Sequence, residues 1–172
     1  MLDTNAVDDE SAEMAELREM WRAGWIELTR TDTVDTELAQ REDPEHRAHL
    51  LSLSGEMIEQ FGPVVVGHSR IGFCVWGSDQ ESSEWDRLWE VMCPGRERAT
   101  ARKNDVRDAM HVATAMRYGL NALITRDKGL LKKADPIKAA FNGFSIMTPA
   151  QALALAKRML ARHEYRMQNP RP

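Results

Sequence analysis

A helix, a glycine and an apolar strand follow one another in residues 104–127, and this block constrains the fold more than any other part of the chain. Small apolar side chains recur along the helix at helical spacing: Ala109, Val112, Ala113 and Met116. Side chains of this size let a helix pack closely against a sheet. The run Asn121-Ala-Leu-Ile124 then predicts a strand, so the block is typical of an α/β fold.

Helix and strand patterns alternate along the rest of the chain. Helices are predicted at residues 11–24, 35–43, 45–62, 82–92, 128–135 and 148–160. Strands are predicted at residues 25–32, 121–127 and 144–147, with a β-rich segment at 64–76 and the end of a short strand at Met1-Leu2. This order predicts a largely parallel sheet. Residues 1–167 are assigned to one domain and residues 168–172 to a frayed tail.

Composition fits a globular protein, with 42% apolar and 29% charged residues. No apolar run approaches the roughly 18 residues of a membrane span. The acidic start of the chain lacks the pattern of a secretory signal. Cys74 and Cys93 have no C-x-x-C spacing, so we expect reduced thiols and a cytoplasmic protein without a membrane partner.

Charge is divided unequally along the chain, although the net charge is only −4. Residues 1–86 carry 20 acidic and 6 basic side chains, whereas residues 87–172 carry 7 acidic and 17 basic ones. Two basic clusters stand out, residues 96–107 and 126–133. Such clusters are typical of proteins that bind a phosphate backbone, and a solvated surface is the alternative.

Acidic residues fall where strands of this predicted sheet end. Asp3 follows Met1-Leu2 and Asp127 follows the strand at 121–124, so both should lie at the carboxyl edge of the sheet. Glu37 is predicted in the first turn of the helix 35–43, at the same edge, with Asp35 as a possible helix cap. Asp108 begins the helix that leads into the strand, and periodicity does not fix which edge it reaches.

Each acid also has a purely structural interpretation. Asp3 could form an Asx turn with Asn5, and Glu37 could simply favour the positive end of a helix. Asp105 and Asp108 could stabilise a helix start, and Asp127 could be a turn residue.

Joint placement of the acids favours a metal site. Two carboxylates about 4 Å apart repel by about 4 kcal/mol at an effective dielectric constant of 20, so a convergent group needs a cation. Oxygen ligands without cysteine or histidine select Mg²⁺ or Mn²⁺, and such ions suit phosphodiester hydrolysis. No serine or cysteine triad competes. His46 and His49 are predicted to lie on the surface, and His111 to be a packed or surface helix residue.

Four motifs together resemble the PIN-domain family of metal-dependent nucleases, which includes the toxins of VapBC toxin–antitoxin pairs. They are "LDTN" from Leu2, "TEL" around Glu37, "DVRDAMHVATA" from Asp105 and "LITRDKGLLKKA" from Leu123. The resemblance implies a three-layer α/β/α sandwich with a central, mostly parallel sheet. It implies an endoribonuclease dependent on Mg²⁺ or Mn²⁺, with RNA as its substrate, and commonly a homodimer.

By this resemblance, the carboxylates that bind the metal and carry catalysis are Asp3, Glu37, Asp108 and Asp127, with Asp105 as an accessory. Asn5 and Thr125 match polar positions that support the site or its water. The basic residues expected to hold RNA phosphates are Arg102, Lys103, Arg126 and Lys128.

Several alternatives stay open at this point. Only Met1 and Leu2 precede Asp3, so either the first strand is short or the native start lies upstream. The long segment 63–103 and the extended last helix leave both a toxin with an antitoxin partner and a non-toxin RNA-processing role open. A fold that binds RNA or protein without cleavage is a further alternative. A haloacid-dehalogenase-like phosphatase would need an acid where Asn5 stands.

Overall fold

The computed structural model describes residues 1–70 and 72–168 and has a mixed α/β architecture, as predicted. The helices are α1 (Thr4–Val7), α2 (Ala12–Arg22), α3 (Asp32–Leu38), α4 (Pro44–Gly55), α5 (Asp79–Met92), α6 (Lys103–Arg117), α7 (Lys128–Leu131), α8 (Ala134–Ala140) and α9 (Pro149–Gln168), with a 3₁₀ turn at Arg98–Thr100. The strands are β1 (Thr29–Thr31), β2 (Ile58–Gln60), β3 (Gly62–Pro63), β4 (Cys74–Val75), β5 (Ala122–Ile124) and β6 (Ser145–Met147).

The strands form three parallel pairs, β1–β2, β3–β4 and β5–β6. Leu2 makes parallel bridges to Arg30 of β1 and to Ile124 of β5. Its N–H donates to the Thr29 carbonyl at 2.8 Å, and the Ile124 N–H donates to the Met1 carbonyl at 2.8 Å. Leu2 therefore lies between two strand pairs, and the predicted end of a short strand is observed as two isolated bridges.

Apolar side chains collect in two separate clusters. Leu123 and Ile146 pack with helices α5, α6 and α8, whereas Leu2 and Ile124 pack with α2, α3, α4 and α9. Successive side chains of a strand point to opposite faces, so neighbouring residues of β5 enter different clusters. None of the helices within the described ranges is long and apolar enough to cross a membrane.

The start of the last helix matches its prediction, whereas its end does not. Thr148 and Gln151 form the predicted capping box: the Thr148 N–H donates to Gln151 Oε1 at 2.9 Å, and the Gln151 N–H donates to Thr148 Oγ1 at 3.3 Å. Gln168, which was assigned to the tail, is the last residue of α9. Residues 169–172 of the predicted tail lie outside the described residues.

Segment 45–76 departs most from the predicted elements. The helix predicted over 45–62 ends at Gly55, and Ile58–Gln60 pairs with β1 instead. Pairing with a distant strand outweighs the local helical period there. Among the described residues of segment 64–76, only Cys74 and Val75 belong to a strand, β4. Ser69 closes a turn before it: its hydroxyl accepts from the Val65 N–H at 2.7 Å and donates to the Pro63 carbonyl at 2.8 Å.

Three other local predictions were also wrong. Helix α3 begins at Asp32 with Thr31 as its N-cap, so Asp35 is not the cap and Glu37 is not in the first turn. The strand predicted over 25–32 is shorter, since β1 covers only Thr29–Thr31. The helix predicted over 128–135 is instead split into α7 and α8, and α8 extends to Ala140.

Candidate active site

Asp3 is a buried carboxylate that directly follows the bridged residue Leu2. It is the N-cap of α1, where its Oδ1 accepts from the Ala6 N–H at 2.8 Å, and its Oδ2 accepts a hydrogen bond from the Thr125 hydroxyl. Burial raises the pKa of Asp3 above its ordinary value, although the hydrogen bond from Thr125 works against this. Asp3 is therefore both a helix cap and an electrostatically unfavourable buried acid.

Thr125 connects Asp3 to Asp127. Its hydroxyl oxygen accepts from the Asp127 N–H at 2.8 Å while it donates to Asp3. Asp127 caps α7, and its Oδ1 accepts from the Leu130 N–H at 2.8 Å. A Cβ at Gly129 would lie only 2.9 Å from this Oδ1, so the tight cap requires glycine there. The predicted supporting role of Thr125 thus has a geometric basis.

Asp108 lies on α6, facing the same group of acids. Burial raises its pKa to about 6; His111 and Lys133 act to lower the pKa, and the charges of Asp127 and Asp3 act against them. The structure therefore brings three of the predicted carboxylates, from three distant segments, into one electrostatic neighbourhood. A carboxyl with such a pKa is poised to release its proton to water, or in exchange for a cation, near neutral pH.

Glu37 differs from the other three acids because cationic side chains accompany it. The Thr4 hydroxyl donates to its Oε2, Arg107 Nη1 lies 3.5 Å from its Oε1, and His111 Nε2 lies 3.6 Å from its Oε2. Burial alone would raise the pKa of Glu37, but His111, Thr4 and Arg107 together hold it below its ordinary value. Glu37 is thus held as an anion by its own protein.

His111 is the functional candidate that sequence reasoning missed. It is 3% exposed, so the packed interpretation holds and the surface one does not. Its Nδ1 is hydrogen-bonded to the Thr31 hydroxyl at 2.8 Å, which directs Nε2 toward Glu37. Burial alone would lower the pKa of His111, but Glu37, Asp3 and Asp108 raise it above its ordinary value. The available signal was its position three residues after Asp108, on the same helical face.

Asp105, the predicted accessory acid, is paired with basic side chains. Asp105 is buried and contacts three cations: Arg96, Arg102 and Lys133. The hydrogen bond from Arg102, with the charges of all three, holds the pKa of Asp105 below its ordinary value in spite of burial.

Asn5 is exposed on α1, and no hydrogen bond joins it to Asp3 within the described ranges. It lines an open cavity of about 960 Å³ with Asp127.

The basic residues predicted to hold RNA fall into two groups. Arg102 is paired with Asp105, and Arg126 is paired with Asp9. Lys103 and Lys128 are exposed beside the acids, without an ion pair in the part of the chain that the structure describes. Arg102 and Lys103 line a cavity of about 670 Å³, together with Arg96, Asp105, Asp108, Asp127 and Lys133. Basic groups and acids therefore share one cavity.

The donor set fits Mg²⁺ or Mn²⁺ by its chemistry, because it is built of carboxylate oxygens without a thiolate. Burial of Asp108, the main cause of its raised pKa, disfavours a bare anion, and a bound cation would relieve that cost. Across residues 1–70 and 72–168, however, no group of three or more His, Cys, Asp or Glu side chains is arranged to hold a metal ion. The acids converge, but as placed they do not enclose a complete coordination site.

Comparison with known proteins adds no family. Neither a scan against protein-family models nor a search of curated proteins finds a match to this chain. The geometry of the site and the sequence motifs therefore carry the functional argument by themselves.

Proposed function

We propose that this protein is an endoribonuclease that hydrolyses RNA phosphodiester bonds with a Mg²⁺ or Mn²⁺ ion held by Asp3, Asp108 and Asp127. The observation that carries this proposal is the convergence of these three acids from separate segments, with Thr125 hydrogen-bonded to two of them. Convergence of like charges costs free energy, so it favours a cation as the natural occupant.

The proposed fold is a three-layer α/β/α sandwich. Its support is the pair of bridges made by Leu2, which would join β2, β1, β5 and β6 into one central sheet. The two apolar clusters on opposite faces of β5 supply the outer layers with their cores. In such a sheet, Asp3 and Asp127 lie just beyond the carboxyl ends of neighbouring strands, where ligands bind.

In the proposed mechanism each side chain has a task set by its contacts. When bound, the cation would lower the pKa of a water molecule and stabilise the charge that develops on the phosphate. The Thr125 hydroxyl fixes the orientation of Asp3, and the capping bond fixes that of Asp127. Glu37 stays charged beside Arg107 and His111, so it can accept a hydrogen bond from the attacking water.

A second candidate function is RNA binding without hydrolysis. It is favoured by the protein cations beside Glu37 and by the lack of an enclosed metal-binding group among the described residues. A toxin role, with an antitoxin partner and a homodimer, is proposed on the sequence resemblance alone. The phosphatase alternative has less support, because Asn5 carries no acidic group.

The deciding experiment is cleavage of a labelled single-stranded RNA in Mn²⁺, with wild-type protein, Asp127→Asn and Asp43→Asn. Asparagine caps a helix nearly as well as aspartate, so both variants should keep their helix starts. Asp43 is the exposed N-cap of α4 and therefore a matched control. We expect Asp127→Asn to lose cleavage and Asp43→Asn to keep it.

Two results would count against the nuclease proposal. Undiminished cleavage by Asp127→Asn would remove this carboxylate from the reaction. Absence of cleavage by the wild type in either Mg²⁺ or Mn²⁺, together with retained RNA binding, would favour the second candidate.

A further inference from the structure

We infer that Asp105 organises a phosphate-binding subsite beside the catalytic acids, and that this subsite takes a backbone phosphate of single-stranded RNA next to the bond that is cleaved. The inference deepens the proposed nuclease function and rests on it for the identity of the substrate. It gives Asp105 a role in substrate binding instead of metal binding.

Three cations from separate segments meet at this one carboxylate. Arg96 Nη1 lies 3.0 Å from Asp105 Oδ2, and Arg102 Nε lies 2.9 Å from the same oxygen. Arg102 Nη2 also donates to Asp105 Oδ1 at 3.1 Å, and Lys133 Nζ lies 3.8 Å from that oxygen. The cations come from the loop after α5, from the N-cap of α6 and from the junction of α7 and α8.

The charge of the cluster is unbalanced. One carboxylate offsets one of the three cations, so two positive charges are left at this point of the surface. The Asp105 side chain is only 8% exposed, whereas Arg96 and Arg102 are 55% and 76% exposed. A guanidinium carries five N–H donors, and the carboxylate occupies one or two of them on each arginine. Because both arginine side chains are more than half exposed, their remaining donors can form the paired hydrogen bonds that suit a phosphate.

The cluster opens into the cavity that also contains the catalytic acids. Asp105, Asp108 and Asp127 line the same cavity of about 670 Å³, with all three cations on its wall. The N-terminal end of the 15-residue helix α6 also lies at this cavity, and the N–H groups at a helix N-terminus favour an anion. A phosphodiester chain that enters this cavity can therefore place one phosphate at the cluster and the next at the acids.

The position of Arg96 is fixed by the core and not only by its ion pair. The Trp89 indole N–H donates to the Arg96 carbonyl at 2.6 Å, and the Arg96 N–H donates to the Cys93 carbonyl at 3.1 Å. Trp89 is itself 2% exposed in the cluster that packs against β5. The loop that carries Arg96 is thus held before any ligand binds, which reduces the entropy cost of binding.

Binding of a short single-stranded RNA in EDTA tests the subsite without hydrolysis. The dissociation constant is measured over a range of salt concentrations for the wild type, Arg96→Gln, Lys133→Gln and Arg98→Gln. Arg98 is a matched control, because it lies two residues after Arg96 but pairs with Asp86 beside a different cavity. We expect Arg96→Gln and Lys133→Gln each to weaken binding severalfold and to flatten the salt slope by about 0.7. Arg98→Gln should leave both unchanged.

The outcomes separate this inference from the nuclease proposal. Slopes for Arg96→Gln and Lys133→Gln that match the wild type would overturn the subsite, whatever the cleavage assay gives. Flattened slopes in a protein that never cleaves RNA would keep the subsite and reject the nuclease. Calorimetry with Mn²⁺ gives a further check: Asp105→Asn should bind Mn²⁺ like the wild type, and a loss equal to that of Asp108→Asn would make Asp105 a metal ligand after all.

Discussion

Replacing Asp108 by asparagine should stabilise the protein at neutral pH in the absence of divalent cations. In the folded protein the pKa of Asp108 is about 6, because burial disfavours the anion by more than the favourable charge of His111 offsets. In the unfolded chain this carboxyl has its ordinary pKa of 3.8. Between these two pH values the folded protein holds a proton that the unfolded chain has released, so stability falls as the pH rises through this window.

The size of the effect follows from the two pKa values. The difference between 3.8 and about 6 corresponds to about 3 kcal/mol of unfolding free energy, which is present in full below pH 3.8 and lost above pH 6. Asparagine carries no charge at any of these pH values, so Asp108→Asn should recover this free energy. In a chain of this length, about 3 kcal/mol raises the melting temperature by roughly 6–12 °C.

The assay is thermal or urea unfolding in EDTA at pH 7.5 and again near pH 4, with Glu164→Gln as an exposed control on α9. We expect Asp108→Asn to exceed the wild type at the higher pH only, and Glu164→Gln to match the wild type at both. Saturating Mn²⁺ should then stabilise the wild type more than the variant. An equal difference at both pH values, or none at pH 7.5, would refute the argument that the buried anion of Asp108 costs stability.

Two further substitutions test the scaffold around the site. Gly62→Ala would place a Cβ 2.9 Å from Asp32 Oδ1, so we expect urea unfolding to report a loss of about 1–3 kcal/mol; Gly55→Ala, where a Cβ meets open space, should cost nothing. His111→Ala removes a buried partner of Glu37 and should lower the unfolding free energy by about 1–3 kcal/mol, and an unchanged urea midpoint would contradict this.

Local sequence signals predicted the elements that depend on local interactions. The helix that became α6, the strand β5 and the capping box at Thr148 could be predicted because their periodicity and cap residues lie within a few positions of one another. The strand β2 could not, because it is stabilised by pairing with β1, about thirty residues earlier in the chain. Local helical spacing in residues 45–62 pointed the other way.

The same distinction between local and long-range interactions applies to the candidate site. The positions of Asp3 and Asp127 after strands were predictable, since strand ends in a parallel sheet meet at one edge. The cations that accompany Glu37 were not, because Arg107 and His111 reach it from a helix some seventy residues away. For the same reason Arg126 looked like a free RNA-binding cation in the sequence but is paired with Asp9.

The acids of the site are neutralised in different ways, and the difference indicates where each ligand belongs. Glu37 and Asp105 are matched by arginine, lysine or histidine side chains, and the pKa of each lies below its ordinary value. In residues 1–70 and 72–168, no arginine or lysine forms an ion pair with Asp3, Asp108 or Asp127. Burial is therefore the main effect at Asp3 and Asp108, and the pKa of each is raised. A cation at Asp3, Asp108 and Asp127 and a phosphate beside Asp105 would offset both charge imbalances, which is the arrangement that the proposed nuclease needs.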